Sequence, residues 1–461
     1  MGVFMFERKS YARLLDWKES SDGTTALLVE GARRVGKTTL TKQFAEQEYA
    51  DFIYVDFSNT GKDLLDLFRD YRGDIDTFLR MLQLYFSKEL PRRNAVIIFD
   101  EVQRFPPARE MIKHLVADGR FDYIETGSLI SIKKNVQDIL IPSEEERLSL
   151  WPLDFEEYLW ALQKKILADE IRRACLAQTP LPAAIHRQCE RLFNEYMLVG
   201  GMPQAVAAFI EDADFARCDK VKRRILALYV EDMAKFGGLD GRKAYAIFQE
   251  IPGQLSAGSK RFKFTTLGKS ARYREYDSAL MWLADARVAT VCRKCNDPNV
   301  GYRLTADESA LKCYMADTGL LMSHAFADGK EALEIYRAIQ FGRVSVNKGM
   351  IVENVIAQQL TAAGDELFYY AWDEPAPGDG KPRHRPREID FLITRAFADA
   401  AGKPRVCPIE VKSSKSYSTV SLDAFRKHFG KRMGDEIIFH PKQLKREGQR
   451  LYLPLYMSFC L

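Results

Sequence analysis

The sequence predicts an α/β chain that opens on a parallel sheet, and three observations carry this. Short, uniformly apolar runs alternate with helix-patterned stretches over residues 1–160. A glycine-rich loop stands directly between the first such run and the helical stretch after it. A third run ends in two adjacent acids, Asp100 and Glu101.

The apolar runs Ala26–Glu30 (ALLVE), Phe52–Phe57 (FIYVDF), Val96–Asp100 (VIIFD) and Tyr123–Thr126 (YIET) read as strands buried on both faces. Between them, Thr39–Glu46 and Ile75–Phe86 carry the amphipathic period of helices that cover such a sheet. Leu148–Leu153 is a candidate fifth strand, and the block closes near Leu159. Gln163–Gln204 is helical in pattern, with a break at Pro180 and Pro182. Arg223–Phe236 and Tyr276–Ala286 are further helices, and Val288–Cys292 and Leu311–Met315 are short strands. Near the end, Leu367–Trp372, Ile389–Ile393 and Val406–Val411 read as strands. The first two are separated by a loop rich in Pro, Gly and Arg, Asp373–Arg387. No internal repeat or low-complexity tract interrupts the chain.

At 461 residues the chain has length for roughly three domains of ~150 residues each. Its 46% apolar content is ample for several cores. Lysine and arginine number 68 against 64 acids, so the net charge of +4 announces no polyanion partner, and any such contact must come from local patches. The eight cysteines form no disulfide-like framework, which fits a reducing, cytoplasmic setting. Glu7, Arg8 and Lys9 break the apolar start, Phe6 defeats the myristoylation pattern, and no run reaches the ~18 apolar residues of a membrane span. No membrane association is expected.

The loop Gly31–Thr39 (GARRVGKTT) fits G-x-x-x-x-G-K-[ST] through Gly31, Gly36, Lys37 and Thr38. Glycines let the backbone curl so that its N–H groups, with those of Ala32, Arg33, Arg34, Val35 and Thr39, face a β-phosphate at a helix N-terminus. Lys37 is placed to bridge β- and γ-phosphates, and the Thr38 hydroxyl to ligate Mg²⁺. Asp100 at the end of its strand would hold the Mg²⁺ shell, with Glu101 as the base for an attacking water. Thr126 and Ser128 supply hydroxyls where a γ-phosphate sensor would sit, although such hydroxyls also serve as ordinary helix caps. Arg147 is a candidate arginine for the γ-phosphate, in cis or from a neighbouring copy; a surface ion pair is its plainer role. ATP and Mg²⁺ are the expected ligands.

The order of these elements, with an extra strand between the loop-bearing strand and the Asp-Glu strand, resembles AAA-type ATPases near the STAND group. WPLDFEEYL (151–159), LVGGMPQAV (198–206), YVEDMAKFG (229–237) and KCYMADTGL (312–320) resemble markers of one prokaryotic family. That family joins an AAA-type ATPase to a C-terminal domain of PD-(D/E)XK restriction-endonuclease-like type. The resemblance implies a P-loop domain over 1–160, a helical, winged-helix-like middle over 161–328 and a mixed α/β nuclease-like domain over 329–461. Lys269, Arg272 and Arg274 flank the candidate recognition helix, where a solvated helix face explains them as well. Cys292 and Cys295 form a lone CxxC; Cys313 and His324 do not complete the usual second pair of a zinc site.

The nuclease-like resemblance singles out Glu353 in IVENVIAQQL, Asp390 in REIDFLI, and Glu410 with Lys412 in PIEVKSSKS. Ile389 stands where a proline often precedes the aspartate. Asp390 and Glu410 are expected to face each other on neighbouring strands, with Glu353 approaching from a helix. Together they would hold a second divalent cation, while Lys412 positions water or stabilises charge. Cations in Lys381–Arg387 and Lys412–Lys427 could line a phosphate path. The expected function is ATP-dependent action on nucleic acid, DNA in preference to RNA. The alternatives are a nucleotide-gated signalling or assembly switch whose C-terminal domain only binds, and a chaperone-like remodeller of proteins. A homo-oligomer or a protein partner is compatible with each.

Overall fold

The computed structural model describes residues 5–128, 143–236, 238–257, 260–326, 334–338, 348–376, 383–396 and 404–461. The chain divides into two compact units, one of Met1–Trp151 with Asp285–Arg287, the other of Pro152–Ala284 with Val288–Leu461.

The first unit is a parallel sheet of β1 (Ala26–Gly31), β2 (Asp51–Asp56), β3 (Ala95–Asp100), β4 (Asp122–Gly127) and β5 (Glu145–Leu150), ordered β2-β3-β4-β1-β5. β4 therefore lies between the P-loop strand and the Asp-Glu strand. Its helices are α1 (Ser10–Ser21), α2 (Lys37–Glu48), α3 (Lys62–Asp70), α4 (Ile75–Tyr85) and α5 (Pro106–Asp118). Leu28, Ile53, Val55, Ile97 and Phe99 bury one sheet face against Leu64 and Phe68 of α3, Phe78 and Leu82 of α4, and Ile112 and Leu115 of α5. The helices α1 and α2 also pack on the sheet, and β1 and β3 are buried along their whole length. This double burial explains why those runs are uniformly apolar rather than alternating. β5 begins and ends three residues earlier than the run Leu148–Leu153 suggests. It pairs residue for residue with β1 from Ala26↔Glu145 to Gly31↔Leu150, and Pro152, which has no N–H, cannot extend the ladder.

The second unit starts with helices: α6 (Phe155–Ala161), α7 (Lys165–Leu176), α8 (Ala183–Val199), α9 (Pro203–Asp212), α10 (Phe215–Phe236), α11 (Gly238–Ser256) and α12 (Tyr273–Asp285). A mixed sheet of eight strands follows, ordered β12-β13-β11-β10-β9-β8-β6-β7. Its members are β6 (Ala289–Cys295), β7 (Ala306–Met315), β8 (Phe368–Ala376), β9 (Arg383–Ala396), β10 (Pro404–Val411), β11 (Glu436–His440), β12 (Lys445–Glu447) and β13 (Arg450–Pro454). The two short strands read in the middle of the sequence are thus longer and share one sheet with the C-terminal strands. α13 (Thr318–Ala325) follows β7, α14 (Lys348–Ala362) packs on β6, β7 and β10, and α15 (Val420–Phe429) packs against β9. Leu422 and Phe425 of α15 join Phe368, Ile389, Leu392, Val406 and Ile438 in one core.

The expected loop Asp373–Arg387 is in large part strand. β8 and β9 continue as an antiparallel ribbon through Trp372↔Arg387, Asp373↔Pro386 and Ala376↔Arg383. β9 meets β10 only from Phe391 onward, and β8 meets β6 only at Phe368 and Tyr369. Pro375 and Pro386 both lie in this extension, where among the described residues neither strand has a partner on its other side, and such an edge tolerates a residue without an N–H.

Three of the four segments that resemble family markers, 151–159, 198–206 and 312–320, meet in a buried polar knot. Leu153 donates its N–H to the Gly201 carbonyl at 2.8 Å, and Asp317 accepts from the N–H groups of Gly201 at 2.6 Å and Leu320 at 2.8 Å. From α14, Asn354 exchanges hydrogen bonds with the Met315 backbone, Gln358 accepts from the Thr318 N–H, and Gln359 accepts from the Phe155 N–H. Tyr196 receives both glutamine amides and donates to the Leu153 carbonyl at 2.7 Å. A Cβ on Gly201 would lie 2.0 Å from the Leu153 carbonyl oxygen, so only glycine fits. Gly201→Ala should therefore destabilise the protein by about 2 kcal/mol or more, read as a lower unfolding midpoint. Gly73→Ala, where a Cβ meets nothing within 4 Å, is the neutral control. Equal midpoints for the two variants would contradict the close-approach argument.

Candidate functional site

The P-loop joins β1 to α2. Gly36 takes φ 102°, a left-handed value that favours glycine, and Arg34 also has a positive φ of 71°. A Cβ on Gly31 would meet the Leu150 carbonyl at 2.4 Å, so the first glycine of the motif is required by the neighbouring strand end. The Lys37 ammonium is buried and donates to the Gly31 and Ala32 carbonyls at 3.0 and 3.1 Å. Burial pushes its pKa down to about 8, and the nearby Arg33 pushes the same way. Glu101 and Asp100 pull it up.

Asp100 gathers hydroxyls. Thr38 donates to it at 2.9 Å, and Thr126 and Tyr54 donate to its two oxygens. This set of hard oxygens suits Mg²⁺, with Thr38 and Asp100 as the residues to hold it. Glu101 sits in the left-handed region at φ 55°, a strained place for a non-glycine residue. Its carboxylate accepts from Gln103 at 2.6 Å and from Ser128 at 3.4 Å. The carboxylate is thereby aimed by two neighbours. Thr126 and Ser128 lie on the two acids, one on each. Arg147 lies elsewhere: it is paired with Leu28 in the ladder, three residues short of Gly31↔Leu150, and bonds Glu145 at 3.3 Å. Sequence reading missed Tyr54 and Gln103. Tyr54 lies on β2, which is hydrogen-bonded to the Asp-Glu strand, and Gln103 stands two residues beyond Glu101, but neither carries a motif of its own.

In the second unit Glu353 lies on α14, Asp390 on β9 and Glu410 on β10, with Lys412 just after it. The register Phe391↔Ile409 carries Asp390 and Glu410 onto adjacent positions of neighbouring strands, and Asp390 accepts the Val411 N–H at 2.8 Å. Each carboxylate, however, lies beside an ammonium. Lys412 pairs with Glu410 at 2.6 Å. Lys312 of β7, fully buried, stands 3.1 Å from Glu353, 2.6 Å from Glu388 and 3.8 Å from Asp390. Lys260 pairs with the other Glu353 oxygen, and Tyr314 donates to Glu353 at 2.5 Å.

Burial alone would raise Glu353, but Lys312 and Lys260 hold its pKa down to about 2. Asp390 is pushed up to about 7 by burial and by the Glu353 charge, against the pull of Lys312. Burial also raises Glu410, against the pull of Lys412. Among the described residues, no group of three or more His, Cys, Asp or Glu side chains could hold a metal ion. The expected second divalent cation does not fit here, because an ammonium occupies the centre of the carboxylates. Cys292 and Cys295 are both buried on β6 and form no such group either. The sequence missed Lys312, Lys260 and Glu388, although Glu388 stands two residues before Asp390 on one strand face.

Residues 23–159 match the profile of a family described as an AAA domain. Residues 23–159 form an AAA-type P-loop domain. Beyond this domain, residues 190–331 and 348–456 match two families, each described as a domain of unknown function (DUF8612 and DUF4143). No curated protein matches the chain. Among solved structures, it is similar to a Walker-type ATPase of Pyrococcus abyssi at 13% identity, over 70% of this chain and 96% of that one, with a TM-score of 0.41. It is also similar to a signal transduction ATPase with numerous domains and a tetratricopeptide repeat sensor from Pyrococcus horikoshii. That likeness has 12% identity, 78% and 48% coverage, and a TM-score of 0.27. Drosophila ORC bound to DNA gives 14% identity, 74% and 96% coverage, and a TM-score of 0.27. At these scores all three are distant likenesses. No helix among the described residues is long and apolar enough to cross a membrane.

The depressed Lys37 pKa gives the P-loop domain a testable pH dependence. Lys37 loses its charge as pH rises through about 8, and with it the attraction for phosphate oxygens. Titration with a fluorescent ATP analogue should show affinity falling several-fold between pH 7 and pH 9. Affinity that rises over this range would contradict the assignment.

Proposed function

We propose that this chain binds ATP with Mg²⁺ at its P-loop and hydrolyses it, and that nucleotide state governs engagement of nucleic acid, DNA in preference to RNA, by the C-terminal part. The observation that carries the hydrolytic half is the arrangement at the end of β3. Asp100 is bonded to Thr38, and next to it Glu101 is aimed by Gln103 and Ser128.

The ammonium of Lys37 exchanges its two carbonyl partners for β- and γ-phosphate oxygens, and the loop N–H groups hold the β-phosphate. Thr38 and Asp100 would hold Mg²⁺, which would supply positive charge against the charge developing on the phosphate oxygens. Glu101 accepts the proton of the attacking water, with Gln103 and Ser128 fixing the carboxylate. Thr126 and Ser128 serve as the γ-phosphate sensors of this reading. The division into P-loop domain, winged-helix-like middle and nuclease-like end, with a cytoplasmic setting, belongs to the same proposal.

Support for the nucleic-acid half comes from the β8–β9 ribbon. It exposes His384 and Arg385, its outer edges carry no further strand among the described residues, and a two-stranded ribbon is an element that a DNA groove admits. A second reading, a nucleotide-gated switch whose C-terminal part binds without cleaving, is favoured by Lys312 at the centre of the carboxylates.

Lys37→Ala should weaken ATP binding more than tenfold. Glu101→Gln should keep binding and lower turnover by on the order of 100-fold or more, since an amide accepts no proton from water. Wild-type turnover in Glu101→Gln would remove Glu101 from the mechanism. For the ribbon, the double substitution His384→Ala/Arg385→Ala should weaken duplex DNA binding several-fold in fluorescence anisotropy and lower its salt dependence. Unchanged binding would take the ribbon out of the interface.

A further inference from the structure

We propose that Lys312 is a built-in cation that closes the carboxylate site of the second unit, so that Glu353, Glu388 and Asp390 take no divalent ion while it is present. This rests on reading that site as nuclease-like, and adds that its charge requirement is met from within the chain.

The geometry is specific. The Lys312 side chain is fully buried, and its ammonium lies 2.6 Å from Glu388, 3.1 Å from Glu353 and 3.8 Å from Asp390. These three carboxylates come from two elements, α14 and β9, and β7 delivers the ammonium between them. Mg²⁺ binds oxygens at about 2.1 Å and Ca²⁺ at about 2.3–2.6 Å. An ion bridging the same oxygens would have to stand where the Lys312 nitrogen stands.

Charge leads to the same conclusion. Glu353, Glu388 and Asp390 carry −3 when ionised, while Lys312 and Lys260 carry +2, which leaves −1. A divalent cation would turn that into +1 in a buried place, with two ammoniums beside it, an arrangement desolvation and repulsion both oppose. Without Lys312 the remainder becomes −2, the charge that one divalent cation cancels. The Tyr369 ring, 5.1 Å from the ammonium, and the Tyr314 hydroxyl on Glu353 further shape the place for a lysine. Lys412 is engaged by Glu410, so it is not the group that fills this centre.

The consequence is a latent metal site. The C-terminal part would meet a phosphate backbone through its cations and ribbon, and metal-dependent phosphodiester cleavage would be shut off by one side chain.

The test is Mn²⁺ binding to the full chain without nucleotide, measured by electron paramagnetic resonance of free Mn²⁺. The proteins are wild type, Asp390→Asn, Lys312→Met and the double variant. Wild type and Asp390→Asn should bind Mn²⁺ identically, because any ion on the P-loop acids is common to both. Lys312→Met should gain one site at least tenfold tighter than any in wild type, and the double variant should lose it. An Mn²⁺ ion bound by wild type and lost in Asp390→Asn overturns the proposal, as does a folded Lys312→Met that gains no site. If Lys312→Met does not fold, the comparison of wild type with Asp390→Asn decides alone. Because the readout contains no nucleic acid, a failed DNA-binding reading leaves this result intact, and the reverse holds too.

Discussion

Asp317 is buried, and its carboxylate must take its hydrogen bonds from within the chain, which it does from the N–H groups of Gly201 and Leu320 and from the Gln358 amide. That requirement brings the chain around Gly200 and Gly201 against the start of α13, so closely that a Cβ on Gly200, Gly201 or Gly319 would overlap its neighbour. Burial raises the Asp317 pKa while its two N–H donors lower it, and the group persists because every oxygen has a partner. Around this point Tyr196 and Gln359 satisfy the backbone of Leu153 and Phe155, and Asn354 and Gln358 that of Met315 and Thr318. The helical part and the eight-stranded sheet are held as one unit by polar contacts that leave little tolerance for change.

Asp100 plays the corresponding part in the P-loop domain. It is a hub rather than a lone ligand, with Thr38, Thr126 and Tyr54 arriving from three different elements. The next residue pays for its position in backbone strain: Glu101 lies in the left-handed region, and Gln103 and Ser128 keep its carboxylate in place. Strain of this kind persists only where surrounding bonds over-determine it.

The two units treat buried carboxylates in opposite ways. In the P-loop domain the acids face hydroxyls and one depressed lysine, and keep capacity for a metal and a phosphate. In the sheet of the second unit, Glu353 is held strongly acidic by two ammoniums, whereas Asp390, next to that charge and farther from Lys312, is raised. The same residue types therefore give an open site in one unit and an internally neutralised one in the other. The difference lies in where lysines enter, not in the acids.

The P-loop domain was legible because its chemistry is local. Gly31, Gly36, Lys37 and Thr38 fall within one loop and one helical turn, Asp100 and Glu101 are adjacent, and double burial marks their strands as apolar runs. Strand limits were less legible: β5 is shifted by its register with β1, and the ribbon of β8 and β9 hides behind prolines that only open edges tolerate. The C-terminal acids could be picked out, but not their state. Lys312 comes 41 residues before Glu353 and sits across the sheet from Asp390, and nothing in its neighbours shows that it is buried. The sequence by itself determined the phosphate-binding loop and the acids beside it, since backbone torsion and chain adjacency decide those. Only the tertiary structure decided which charges meet, because Coulomb attraction and desolvation depend on distance in space and not on separation along the chain.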